Sequence, residues 1–127
     1  MIVLDASVLI AHLDQHDALH AAAQERLRTA VKQRRRFSTS TITLAEVLVD
    51  PTRSGALRAA RAALSALSVA ELPLPHGAAE QLAALRAETG LKLPDCCVLL
   101  AAEEANGGVL TFDERLARAA AERGLSA

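Results

Sequence analysis

Four short runs, "IVLD", "RFSTST", "VAEL" and "VLTF", punctuate this chain, and between them lie segments with apolar residues at helical spacing. Strands alternating with helices across short connections imply a parallel sheet with helices on both faces, because parallel neighbours need a crossover that returns over the sheet. The first strand is expected over residues 2 to 5, with a short helix from about 7 to 13. "QHDALHAAAQERLRTAVKQ" reads as a longer amphipathic helix with Leu19, Ala23, Leu27 and Val31 on one face. "TLAEVLV" predicts a helix that ends near Pro51, and "SGALRAARAALSAL" another that presents Leu57, Ala60, Leu64 and Leu67. "HGAAEQLAALRAETG" carries a stop signal at Gly90, and "PDCCVLLAAEEANGG" starts at Pro94 and ends at Asn106. "DERLARAAAERG" is the last helix. The expected fold class is α/β: a three-layer α/β/α sandwich around a central, mainly parallel sheet of four to five strands, in one domain over residues 1–127.

Composition narrows the function classes. The apolar fraction is 51%, and 28 of the 127 residues are alanine, which favours helices and thin, closely packed layers. With no Trp, no Tyr and two Phe, Phe37 and Phe112, the chain cannot build an aromatic base-stacking platform. A net charge of −1 excludes a uniformly basic surface. The cations do cluster, six of the fourteen lying in "RLRTAVKQRRR", which reads first as a solvated helix end and second as a phosphate-contacting rim. Cys96 and Cys97 are adjacent and offer neither a disulfide framework nor a CxxC motif, so both read as small buried hydrophobes in a reducing compartment. No uncharged run exceeds nine residues, and the N-terminus lacks a basic leader, so a cytoplasmic protein without a membrane span is expected.

Four acids share one kind of address. Asp5 follows the first strand, Glu46 lies in the helix after the second, Asp95 opens the apolar helix, and Asp113 follows "VLTF". In an open α/β sheet, the carboxyl ends of the strands and the helix starts beyond them form one ligand-binding edge. Each acid has a plainer reading. Asp5 can cap the next helix, Glu46 can reach back to Thr43 in a capping box, and Asp95 and Asp113 suit the positive end of a helix dipole. Together the plain readings weaken, since two carboxylates about 4 Å apart repel by roughly 4 kcal/mol at an effective dielectric near 20. Oxygen-only ligands point to a hard divalent ion, Mg²⁺ or Mn²⁺, and thus to phosphodiester hydrolysis in outline.

In "IVLDASVLI", the Glu46 of "TITLAEVL", "LKLPDCCVLLAAE" and "VLTFDERLA", the chain resembles the four motifs of PIN-domain ribonucleases, with VapC-type toxins of bacterial toxin–antitoxin modules as the closest group. Order, spacing and length match over essentially the whole chain. The resemblance implies that Asp5, Glu46, Asp95 and Asp113 form an acidic catalytic pocket, with Asp5 and Asp95 as direct Mg²⁺ ligands (Mn²⁺ as a substitute). Ser7 and Thr111 match the hydroxyl positions beside the first and fourth acids and would orient a carboxylate or the attacking water. It also implies cleavage of RNA to a 5′-phosphate and a 3′-hydroxyl, homodimers, and silencing by a cognate antitoxin. Two departures stand out. Little chain follows Gly124 for a final strand, and the slightly acidic domain must draw RNA affinity from local cations such as Arg34, Arg35, Arg36, Arg53 or Arg58, or else largely from the metal.

Rival readings lack a required residue or partner. His12, His16 and His20 fall at i, i+4 and i+8, but a break between 13 and 17 argues against a zinc site and for surface or partner-facing roles. "His16–Asp17" is a single dipeptide without the rest of an HD phosphohydrolase. A receiver domain needs an acid pair after the first strand and a late Lys, and a haloacid-dehalogenase-type phosphatase needs DxD where this chain has Asp5-Ala6-Ser7. The non-enzymatic alternative is a catalytically silent PIN-fold interaction module that binds a partner peptide.

Overall fold

The computed structural model describes all 127 residues. Four parallel strands, β1 (Ile2–Leu4), β2 (Phe37–Ser40), β3 (Ala70–Leu72) and β4 (Gly108–Leu110), form one sheet in the order β3-β2-β1-β4. Seven helices surround it: α1 (Ala6–Leu13), α2 (His20–Lys32), α3 (Thr41–Ser54), α4 (Leu57–Ala66), α5 (Ala78–Thr89), α6 (Leu93–Ala105) and α7 (Glu114–Glu122). This is the expected α/β/α sandwich with a parallel sheet.

The period of two along β1 divides the core. Ile2 and Leu4 join one apolar cluster with Leu9, Leu27, Phe37, Leu44 and Leu64, whereas Val3 joins the other with Leu85, Leu99, Leu116 and Val109. One face of the sheet is therefore covered by α1 to α4, and the other by α5, α6 and α7. Helix α6 packs against β1, β2 and β4, and every residue from Cys96 to Ala102 is buried. The absence of a polar face in "CCVLLAA" is thus explained by position. Burial also pushes both thiols up, so Cys96 and Cys97 behave as small hydrophobes.

Several expectations are corrected. Helix α2 begins at His20 rather than near Gln15, because the Asp14 carboxylate accepts from His16 N at 2.9 Å and that of Asp17 from Leu19 N at 2.8 Å. These side-chain turns offer the backbone an alternative to the helix. The buried face of α2 is Ala23, Leu27 and Ala30, while Leu19 and Val31 are exposed. On α4, Ala60 and Leu64 are buried but Leu57 is exposed. Helix α3 runs through Pro51 to Ser54, with the Thr52 hydroxyl donating to Leu48 O at 2.6 Å, and ends where Gly55 takes φ 76°.

The final strand is minimal. Val109 N donates to Leu125 O at 2.6 Å and Ala127 N to Val109 O at 3.2 Å, an isolated parallel bridge on the outer side of β4. Gly108 makes room for it: a Cβ there would lie 2.6 Å from both Ser126 O and Ala127 Cα. Gly108→Ala is therefore expected to peel the last three residues from β4 and cost about 1–3 kcal/mol by overpacking. Loss of hydrogen-exchange protection at the Ala127 amide, with that of β1 retained, checks it.

Candidate active site

β1 ends at Leu4, and Asp5 is placed by both strand and helix. Its amide extends the sheet ladder to Leu110 O at 3.1 Å, and its side chain caps α1 by accepting from Ser7 N at 3.4 Å. Asp5 is nevertheless 6% exposed, which a surface cap does not require. Its Oδ2 accepts from the Ser7 hydroxyl at 2.8 Å and the Thr111 hydroxyl at 2.7 Å. Each hydroxyl in turn accepts from backbone beyond β4: Phe112 N donates to Ser7 Oγ and Asp113 N to Thr111 Oγ1, both at 3.0 Å. Ser7 Oγ and Thr111 Oγ1 also lie 3.3 Å apart, so the two hydroxyls and Asp5 Oδ2 form one cluster. This chain of charge-assisted bonds fixes one carboxylate oxygen and leaves Oδ1 as the free donor atom.

Asp95 occupies the third position of α6, after Leu93 and Pro94, and is half-buried. Burial raises its pKa, the negative charges of Asp5 and then Asp113 raise it further, and Lys92 and Arg115 oppose the rise. Glu46 projects from the second turn of α3 into a groove beside Ile10, Leu13 and Val47. Its pKa is raised first by desolvation, then by Asp5 and Asp95, with Lys92 again opposing. Because Glu46 is an exposed residue overall, solvent screens much of this effect. The capping-box reading of Glu46 fails: α3 starts at Thr41, with Ser40 as the cap, so Thr43 is already inside the helix. Asp113 is exposed as well. It caps α7, its Oδ1 accepting from Leu116 N at 3.0 Å, and its charge still reaches Asp95.

The fold thus brings Asp5, Glu46 and Asp95 within mutual electrostatic reach, with Asp113 acting on Asp95. None of the four forms an ion pair; the three salt bridges all lie elsewhere. No three His, Cys, Asp or Glu side chains stand close enough to hold one ion among them. The donor set still fits Mg²⁺ or Mn²⁺, since Mg²⁺ usually keeps several waters and takes only one or two carboxylates. Mutually repelling oxygen ligands outside any salt bridge are what such an ion stabilises.

The histidines do not stack. His16 lies in the turn before α2, and His20 Nδ1 contacts Ala11 O at 2.7 Å. His12 sits on α1 with Nδ1 buried and without a hydrogen-bond partner. Desolvation lowers its pKa below 6.5, Gln24 opposes the fall and His20 adds to it. A depressed histidine contributes stability above the unfolded value that is lost as pH falls toward the folded one. His12→Gln is expected to flatten the decline in melting temperature below about pH 6.5; melts at pH 5 and pH 8 check it.

Lys92 and Arg115 were not among the cations that the sequence singled out. Both lie within three residues of a motif acid, Lys92 before Asp95 and Arg115 after Asp113. That proximity was the available signal. The cations named from the sequence lie elsewhere. Arg34, Arg35 and Arg36 precede β2, and Arg36 O accepts from Ile2 N at 2.7 Å, so they sit at the edge of the sheet opposite Asp5. Arg53 pairs with Asp50 at 3.6 Å on the exposed surface of α3, and Arg58 is on α4.

Residues 2–122 match the family model for the PIN domain. Among solved structures, VapC20 of Mycobacterium tuberculosis, a sarcin–ricin-loop-cleaving toxin, is 21% identical over 94% of this chain and 95% of its own, with a TM-score of 0.71. A toxin–antitoxin complex from Klebsiella pneumoniae is 26% identical over 89% of this chain and 87% of that one, at 0.72. VapBC2 of Rickettsia felis, bound to a DNA fragment from its promoter, is 18% identical over 93% and 92%, at 0.70. No curated protein sequence matches.

Proposed function

The chain belongs to the PIN-domain family, and from that premise we propose that it is a divalent-cation-dependent endoribonuclease and the toxin of a toxin–antitoxin pair. The observation that carries this reading is that Asp5, buried under two hydroxyls, lies at one sheet edge within electrostatic reach of Glu46 and Asp95, with none of the three in a salt bridge. Helix caps that follow parallel strands share a sheet edge, but capping alone gives no reason to bury Asp5 under two hydroxyls. The silent-module alternative leaves that burial unexplained.

Asp5 and Asp95 would hold the ion, with Glu46 and Asp113 binding directly or through water. When bound, Mg²⁺ or Mn²⁺ supplies charge neutralisation at the phosphodiester and an activated water for in-line displacement. The chain's own part is positioning. Ser7 and Thr111 lock the Asp5 carboxylate, helix α6 fixes Asp95, and α3 presents Glu46 from the opposite wall.

The Klebsiella pneumoniae complex supports a cognate antitoxin as protein partner. A homodimer is the assembly implied by the resemblance to VapC-type toxins, and RNA as substrate places its action in the cytoplasm. No helix is long and apolar enough to cross a membrane. The test is incubation of the purified protein with total RNA and Mg²⁺ or Mn²⁺, followed by mapping of the ends. Discrete cuts bearing 5′-phosphate and 3′-hydroxyl are expected. Intact RNA with both ions, from folded protein free of antitoxin, would overturn the reading.

A further inference from the structure

Helix α7 carries Arg115, Arg118, Ala119 and Glu122 at i, i+3, i+4 and i+7, which places them on one side of the helix. Opposite them stand Glu88, Thr89 and Leu91 from the end of α5 and the connection to α6, and the two walls enclose a groove of about 330 Å³. The connection is firmly held. Arg86 Nη1 donates to Leu91 O at 2.7 Å, Leu91 N donates to Thr89 Oγ1 at 3.2 Å, and Leu91 is buried. The next residue, Lys92, stands immediately before α6 and acts electrostatically on Glu46 and Asp95.

The charges are sorted along this groove. At its far end Arg123 is consumed by two carboxylates, Glu88 at 2.9 Å and Glu103 at 3.0 Å. Arg115 and Arg118 make no ion pair and stand nearer the start of α7, where Asp113 and Asp95 lie. Unpaired guanidinium groups in a groove suit an anionic ligand, carboxylate or phosphate; because Arg115 also acts on Asp95, a chain of phosphates is the anion that fits a phosphodiester-cleaving site beside it.

We propose that the groove between α7 and the α5–α6 connection holds the RNA backbone beside the scissile bond, with Arg115 and Arg118 binding flanking phosphates and Lys92 standing at its mouth. The proposal rests on the nuclease reading and adds to it the path of the strand. It also explains how a chain of net charge −1 grips RNA without a basic face. Glu122 and the neutralised Arg123 limit the track to the one or two phosphates nearest the cut.

The test compares two variants of the full-length protein. Arg115→Ala with Arg118→Ala removes the track, and Arg34→Ala, Arg35→Ala and Arg36→Ala together remove a larger charge from the opposite edge. Binding of a fluorescent single-stranded RNA is followed in EDTA over a salt series, and KM and kcat are measured with Mn²⁺. The α7 variant should lose about 10-fold in affinity per arginine, as for charge-assisted bonds. Its salt slope should become shallower by about 0.7 for each phosphate that is no longer neutralised. KM should rise far more than kcat falls, and the opposite-edge variant should behave as wild type. Unchanged affinity and slope in the α7 variant, an equal loss in the opposite-edge variant, or no RNA binding by the wild type overturns the proposal. Normal cleavage by an α7 variant of wild-type KM sinks the groove alone, whereas absence of cleavage by the wild type sinks the nuclease reading.

Discussion

Asp95→Asn is expected to reduce RNA cleavage by more than about 100-fold while leaving the metal-free protein at least as stable as wild type at pH 7. The size follows from the role: changes to residues that merely orient a metal ligand typically cost about 10- to 100-fold, so loss of a ligand costs more. The sign of the stability change follows from the charges. Burial, Asp5 and Asp113 all raise the Asp95 pKa above its ordinary 3.8. A carboxyl whose folded pKa is raised stabilises the fold while protonated, and that contribution is lost as pH rises through the raised value. At neutral pH the charged Asp95 is therefore a liability that Asn lacks. The gap between the two proteins should close as pH falls into the carboxylate range. Thermal melts in EDTA at pH 7 and pH 4, beside a cleavage assay, check both parts. A variant that cleaves normally, or one that is markedly less stable at pH 7, contradicts the account.

Thr111→Val should damage both activity and fold, for separable reasons. The substitution keeps shape but deletes the 2.7 Å bond to Asp5 Oδ2 and the acceptor for Asp113 N. Asp5 would then rest on Ser7 alone and lose its fixed orientation. A fall in activity of about 10- to 100-fold is expected, as for other partners that orient metal ligands. Stability should drop by about 1–3 kcal/mol, the usual cost of stranding a partly buried polar partner. Thr111→Ser restores the hydroxyl and should recover most activity, which a role in β-propensity alone would not produce. Denaturant unfolding and steady-state kinetics on the three proteins decide it.

Much of this site was legible from residue order. Strand followed by acid, repeated at Asp5 and Asp113, places carboxylates at one sheet edge whatever the details of packing, because parallel strands share a polarity. The apolar run after Asp95 likewise announced a helix buried on all sides, and α6 is that helix. Where reading failed, a local side chain had overridden the periodic pattern. Asp14 and Asp17 held the backbone out of α2 until His20. The basic run stands apart from the acids for a topological reason. Six cations in eleven residues draw the eye, but those just before β2 emerge at the end of the sheet away from the acids. Arg115 and Lys92 are isolated in sequence and acquire meaning only once α7 and the α5–α6 connection face each other.

The central claim is that these acids are a cation site rather than a set of helix caps, and Mn²⁺ titration of the RNA-free protein followed by thermal melting tests it most directly. A ligand that binds only the folded state at about 100 times its Kd adds about 2.7 kcal/mol, which moves the melting temperature by several degrees. The account predicts that rise in the wild type and its loss in Asp5→Asn and Asp95→Asn. A wild type indifferent to Mn²⁺, or variants that rise as far as the wild type, would contradict it.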